Sequence, residues 1–174
     1  MKSAAVIGAS TGLGLYIATA LVAEGWQVMG AGRRLLPQGS EAFDYVQADL
    51  AEDTSVDRLS QILRAAAPEL VVYCAVAYGS GELSPPSFAE MDAMFRVNAL
   101  APYRLIYDYL TTGSDEKFRS IVVVNSDSIY HASLQTGVYA ASKAALRVLT
   151  STLAHTCKTK NAAVATLLLG PFGR

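Results

Sequence analysis

Tyr139-Ala140-Ala141-Ser142-Lys143 places a phenol and an ammonium four residues apart, and Ser126 adds a hydroxyl thirteen residues upstream. On a helix, positions i and i+4 share a face, so Tyr139 and Lys143 would address the same reactant. A cation about 4 Å from a phenol, at an effective dielectric of ~20, favours the phenolate by about 4 kcal/mol. At ~1.4 kcal/mol per unit, that draws a phenol from its ordinary value toward neutrality, less the cost of desolvation. A phenol that ionises near pH 7 is a usable general acid or base, and with Ser126 it would act on one carbonyl oxygen. The same spacing also arises by chance on many helices, so the elements around it must decide.

Those elements alternate. Short apolar runs predict strands over 4–8, 26–31, 42–48, 70–74, 121–124 and 163–169. Longer amphipathic stretches predict helices over 13–24, 54–67, 87–110 and 139–155. Ser87 and Glu90 have the spacing of a capping box. Pro68 stops the second helix, Pro102 predicts a kink or break in the third, and a short connection surrounds Pro37 and Gly39. Strands that are apolar throughout and separated by helices imply a parallel sheet covered on both faces. With right-handed crossovers the fold class is α/β, a doubly wound Rossmann-type sheet of about six strands. Residues 1–174 are expected to form a single domain. Such sheets bind ligands at the carboxyl ends of their strands, near the point where strand order reverses.

Composition excludes several classes. Apolar residues make up 52% and charged residues 17% of the 174, so the chain is globular rather than disordered. A net charge of −1 with no basic run argues against nucleic acid as a partner. No apolar stretch approaches membrane-spanning length, and the apolar start gives way to a glycine-rich turn at Gly8, unlike a secretory signal. Cys74 and Cys157 read as reduced thiols of a cytoplasmic protein. No metal site is expected.

Gly8-Ala9-Ser10-Thr11-Gly12-Leu13-Gly14 follows the first strand and opens the first helix. Glycines there permit a tight turn and close approach of backbone to a pyrophosphate, while the helix N-terminus offers N–H groups. The second strand ends in Gly32-Arg33-Arg34, with no Asp or Glu between Glu24 and Glu41. An acidic residue would hydrogen-bond a ribose 2′-hydroxyl, whereas arginine suits a 2′-phosphate, so NADP is preferred over NAD. Asp49 either accepts from the adenine amino group or caps the following helix.

Together these residues resemble the classical short-chain dehydrogenases/reductases over almost the whole chain. The glycine motif falls on Gly8, Gly12 and Gly14, the serine on Ser126, the Tyr-x-x-x-Lys motif on Tyr139 and Lys143, and the asparagine of the tetrad on Asn98. The resemblance implies that Ser126 stabilises the developing alkoxide and Tyr139 exchanges its proton. Lys143 would lower the tyrosine pKa and hold the nicotinamide ribose, and Asn98 would anchor a water that resupplies the proton. It extends the expected cofactor contacts to Ser10, Thr11, Leu13, Leu50, Ala75, Val76 and Pro171. It also implies a small carbonyl or alcohol substrate and a homodimer or homotetramer.

The pattern departs at two places. Cys74-Ala75-Val76 stands where the family has Asn-Ala-Gly, and a β-branched Val76 disfavours positive φ. Phe172 replaces a glycine after Pro171, and family members continue past this point through a substrate lid. The chain is therefore expected either to be part of a longer product or to have the apolar edge at 164–169 covered by a partner. The intact tetrad favours an NADP(H)-dependent carbonyl reductase or alcohol dehydrogenase; a non-catalytic NADP-binding sensor or scaffold is the alternative. Substrate-selecting positions are expected in the loops 77–86 and 127–138, which carry Tyr78, Tyr130, His131 and Leu134. Ala140, Ala144, Leu146 and Leu149 fit a subunit interface and a sheet-packing face equally well.

Overall fold

A computed structural model describes residues 2–36, 42–79, 86–112 and 117–170. The strands are β1 (Ser3–Ile7), β2 (Gln27–Gly32), β3 (Asp44–Gln47), β4 (Leu70–Tyr73), β5 (Arg119–Ser126) and β6 (Ala162–Leu169). They form one sheet in the order β3-β2-β1-β4-β5-β6, every pairing parallel. The helices are α1 (Gly12–Ala23), α2 (Asp53–Ala66), α3 (Phe88–Phe95), α4 (Ala101–Thr112) and α5 (Gly137–Cys157). Strand order reverses between β1 and β4, so Gly8 and Cys74 leave neighbouring strand ends at the switch point, where the register pairs Ile7 with Tyr73.

The alternation of side chains along β1 divides the core into two layers. Ala4 and Val6 face one layer with Ala18 of α1, Val28, Phe43 and Val72. Ala5 and Ile7 face the other with Val71, Tyr73, Ile121 and Val123, covered by Leu59 and Leu63 of α2, Leu105 of α4 and Leu146 of α5. Ala140 and Leu146 are buried, and Leu146 and Leu149 pack on the second layer. The expected helix over 87–110 is divided. Ser87 and Glu90 close a reciprocal capping box at its start. A π-turn, Arg96–Leu100, then separates α3 from α4. Its wider register gives Ala101 N–H to the Arg96 carbonyl. The next donor in that register is Pro102, which has no N–H. The phenol of Tyr73 donates to the stranded Val97 carbonyl instead, at 2.6 Å. β6 lies at one edge of the described sheet, with Leu167 and Leu168 exposed. No helix among the described residues is long and apolar enough to cross a membrane.

Candidate active site

At the carboxyl ends of the strands lies a cleft of about 1130 Å³. Its wall includes Gly8, Ser10, Thr11, Gly12, Leu13 and Gly14 from the first turn, Arg33 and Arg34 after β2, and Asp49 and Leu50 after β3. Ala75 and Val76 after β4, Ser126 at the end of β5, and Tyr139 and Lys143 of α5 complete it. Asn98 lies behind this surface, fully buried, and Pro171 is outside the described residues, as are Pro37, Gly39, Phe172 and positions 80–85.

The three motif glycines do different things. A Cβ on Gly14 would sit 2.2 Å from the Gly8 carbonyl oxygen, and one on Gly8 would sit 2.5 Å from the Ala75 amide nitrogen. Both therefore hold the turn against its neighbours. Gly12, at φ +57, has nothing within 4 Å of its absent Cβ, and Thr11 gives α1 no side-chain cap. The open glycine and the uncapped helix end leave first-turn N–H groups facing free space, which fits a pyrophosphate. Arg33 and Arg34 are exposed, and neither has an ion-pair partner among the described residues. Their backbone carbonyls are tied down by Gln47 (3.1 Å) and Tyr45 (2.6 Å), so the guanidinium groups project from a fixed ledge. The donor set therefore suits a dinucleotide with an extra phosphate. Asp49 does not cap α2, whose N-cap is Glu52; its carboxylate accepts from Ala51 N at 3.0 Å. Val76 avoids the φ problem, since Ala67 alone among the described non-glycine residues has positive φ. Val76 is 54% exposed on the cleft wall instead.

On the opposite side, Ser126 Oγ accepts the Ser128 amide at 3.2 Å. Asn125, which the sequence reading passed over, holds both flanks of the site: its Oδ1 accepts from Ser126 N (2.8 Å) and its Nδ2 donates to the Lys143 carbonyl (3.1 Å). A polar residue at a buried strand end next to Ser126 was the available signal. Lys143 is 3% exposed, and its ammonium donates to the Val124 carbonyl at 3.2 Å. It lies 6.0 Å from the Tyr139 ring centroid. Burial lowers its pKa to about 8, against a small opposing pull from Cys74. The Tyr139 pKa is raised, which corrects the expectation of a depressed one. Desolvation dominates, the hydrogen bond with Ser126 offsets part of it, and Tyr78 and Asp127 add to it. A pairwise Coulomb argument omits the cost of bringing both groups out of water. Burial also raises the Cys74 thiol to about 11, so it is no nucleophile at neutral pH.

The Asn98 side chain is fully hydrogen-bonded to protein groups. Its Oδ1 accepts from Ala77 N (2.8 Å), and its Nδ2 donates to Ala77 O (2.8 Å) and Ser142 Oγ (2.9 Å). With its amide protons spent, this side chain is a clamp. Of the loop residues, Tyr78 and His131 line the cleft, whereas Tyr130 is exposed and hydrogen-bonded to Arg147. Leu134 is exposed as well.

A doubly wound parallel sheet with an open glycine turn at its switch point, facing a Ser–Tyr–Lys wall, defines a dinucleotide-binding α/β protein equipped for acid–base chemistry. The family described as short chain dehydrogenase matches residues 2–173, and the chain belongs to it. It is 23% identical over 175 residues to a 7beta-hydroxysteroid dehydrogenase of Clostridium sardiniense, covering 95% of this chain and 67% of that protein. Among solved structures, a bulky-bulky ketone specific alcohol dehydrogenase of Comamonas testosteroni superposes with a TM-score of 0.87 at 23% identity, over 98% of this chain and 72% of that one. A metagenomic short-chain oxidoreductase in complex with NADP superposes with a TM-score of 0.85 at 24% identity, over 98% of this chain and 82% of that one. The chain spans about two thirds of the length of the curated relatives it matches. The family is one of oxidoreductases that use a nicotinamide cofactor.

Proposed function

We propose that the chain is an NADP(H)-dependent oxidoreductase that interconverts a ketone or aldehyde and the corresponding alcohol. One observation carries this reading: the glycine turn, both arginines, Ser126, Tyr139 and Lys143 all line a single cleft. Gly12 and the first-turn amides of α1 hold the pyrophosphate. Arg33, with Arg34 beside it, holds the 2′-phosphate, which is where NADP gains over NAD. Asp49 and Leu50 flank the adenine, and Ala75 and Val76 border the nicotinamide half. When bound, the nicotinamide supplies or accepts the hydride. The NADP complex of the metagenomic relative supports this choice of cofactor.

The chain's own groups manage the oxygen and its proton. Ser126 Oγ accepts the Ser128 N–H, and its hydroxyl, beside the Tyr139 phenol, donates to the carbonyl oxygen and stabilises its developing charge when substrate is bound. Tyr139 donates its proton to the same oxygen. A raised pKa keeps it protonated at neutral pH, the state reduction requires. Lys143, titrating at about 8, is charged under the same conditions and lies behind the phenol as the next proton source. Asn98 holds the loop with its side chain, and by analogy with the family it anchors a water on that route. The free thiols Cys74 and Cys157 suit a reducing cytoplasm, and homodimer or homotetramer assembly is inferred by analogy with the family.

The test is consumption of NADPH and of NADH by the purified protein over a panel of ketones and aldehydes. Turnover with NADPH in excess of NADH is expected. Tight NADPH binding with no turnover across the panel selects the non-catalytic alternative, and binding of neither nucleotide overturns both.

A further inference from the structure

Tyr78 follows β4 in a loop that sequence gave no reason to call rigid. Its ring nonetheless meets the ring of Tyr139 edge to face, with centroids 4.7 Å apart and planes at 61°. This is the geometry aromatic quadrupoles favour. The backbone beneath it is fixed. Both polar groups of Ala77, the preceding residue, are bonded to the Asn98 amide at 2.8 Å. The same amide donates to Ser142 Oγ, which in turn donates to the Tyr139 carbonyl at 2.7 Å. A closed circuit results: the two tyrosines are joined through their rings on the cleft side and through Asn98 and Ser142 on the buried side. Gly79 lets the loop lie close to α3, since a Cβ there would come within 2.9 Å of the Met94 methyl. Yet Tyr78 is 55% exposed and lines the cleft, so much of its ring surface is left for something else.

We propose that Tyr78 positions the Tyr139 phenol and forms the wall against which the non-reacting part of the substrate packs, so that the preferred substrates are ketones with a flat or bulky apolar substituent. This rests on the acid–base role of Tyr139 proposed above. The phenol of a half-buried tyrosine swings about χ1 and χ2 unless something bears on its ring, and Tyr78 supplies that contact. A second aromatic surface beside the reacting carbon then gains from an aryl or alicyclic group and gains nothing from a methyl group.

The experiment compares wild type, Tyr78→Phe and Tyr78→Ala on a small aliphatic ketone and an aryl ketone with NADPH. Loss of an edge-to-face pair predicts that Tyr78→Ala lowers kcat on both about tenfold. It also raises KM for the aryl ketone alone, again by about tenfold for the lost apolar contact. Tyr78→Phe, which keeps the ring, restores both parameters. Equal KM effects on the two ketones, or a Phe variant as impaired as the Ala variant, overturns the proposal. A second measurement stands apart from turnover. In protein labelled with [13C]tyrosine, the Tyr139 ring resonances, assigned with Tyr139→Phe, must shift in Tyr78→Ala and stay near their wild-type positions in Tyr78→Phe. Unchanged resonances in Tyr78→Ala refute the ring contact even if the protein reduces ketones. Shifted resonances in a protein that reduces none uphold the positioning and place the failure in the functional reading.

Discussion

Lys143 makes the fold itself sensitive to pH, and replacing it with Met isolates the effect. Its pKa falls from 10.5 to about 8 on folding because the ammonium is buried. At ~1.4 kcal/mol per unit this is a cost of about 3 kcal/mol. Below pH 8 the side chain is charged in both states, and folding bears the full cost. Between pH 8 and 10.5 the native protein releases its proton before the unfolded chain does, so the cost fades and stability rises with pH. Cys74 acts in the opposite sense. Its thiol moves from 9.0 to about 11, so the stability it contributes is complete below pH 9 and is lost on the way to 11. The clean window therefore ends near pH 9. By linkage, wild type recovers about 1 kcal/mol from Lys143 between pH 7 and 9. Lys143→Met also removes the hydrogen bond to the Val124 carbonyl, which costs about 1 kcal/mol and leaves the slope untouched. Urea unfolding at pH 7, 8 and 9 reads the difference from midpoints at constant m. The variant is expected to be the more stable protein at pH 7, with an advantage that shrinks toward pH 9. Adding Cys74→Ala to both proteins extends the convergence to higher pH. Stability curves for wild type and variant that run parallel from pH 7 to 9 would refute the reasoning, because they would mean that Lys143 has the same pKa folded and unfolded.

Three further outcomes are expected. Tyr139→Phe lowers turnover by about 10²- to 10⁴-fold, the usual weight of a positioned acid–base group, while calorimetry finds NADPH binding retained. Arg33→Asp removes a charge-assisted contact worth on the order of 2 kcal/mol, weakens NADPH binding roughly 30-fold and reverses the preference toward NADH; an unchanged preference removes Arg33 from the site. Gly14→Ala forces a methyl to within 2.2 Å of the Gly8 carbonyl oxygen and destabilises the fold by about 2 kcal/mol or more in thermal or urea unfolding.

β1 and β4 were legible because their runs are apolar throughout, and the start of α3 and the end of α2 because they carry recognisable signals. Ser87 with Glu90 caps α3 as expected, and Pro68 follows the left-handed Ala67 that closes α2. Pro102 announced a break but not its position. The π-turn precedes the proline because the missing N–H is felt one turn earlier, at the Val97 carbonyl, to which Tyr73 donates instead. β5 begins two residues sooner than its hydrophobic run, at Arg119, whose guanidinium is buried against the Tyr109 ring and carbonyl. A charged residue at a strand start gives no hint of such a partner when the partner lies on another element.

Within the cleft, sequence and structure part at a particular physical quantity. Spacing alone puts Tyr139 and Lys143 on one helix face, and they are there. Spacing says nothing of solvent, and burial has moved both groups toward their neutral forms: the phenol upward, the ammonium down to about 8. A Tyr–Lys pair in water would have one charged partner far above neutrality. Here Lys143 titrates close to the pH at which a reductase works, so small changes in its surroundings alter how much ammonium stands behind the phenol. Burial of Lys143 depends on Asn125 gripping its backbone carbonyl, and the setting of Tyr139 depends on Asn98 holding Ser142 and Ala77. The two asparagines are thus where the fold bears on the chemistry. Asn98 was singled out in the sequence and Asn125 was not, and the clamp that Asn98 makes is defined by partners 21 and 44 positions away.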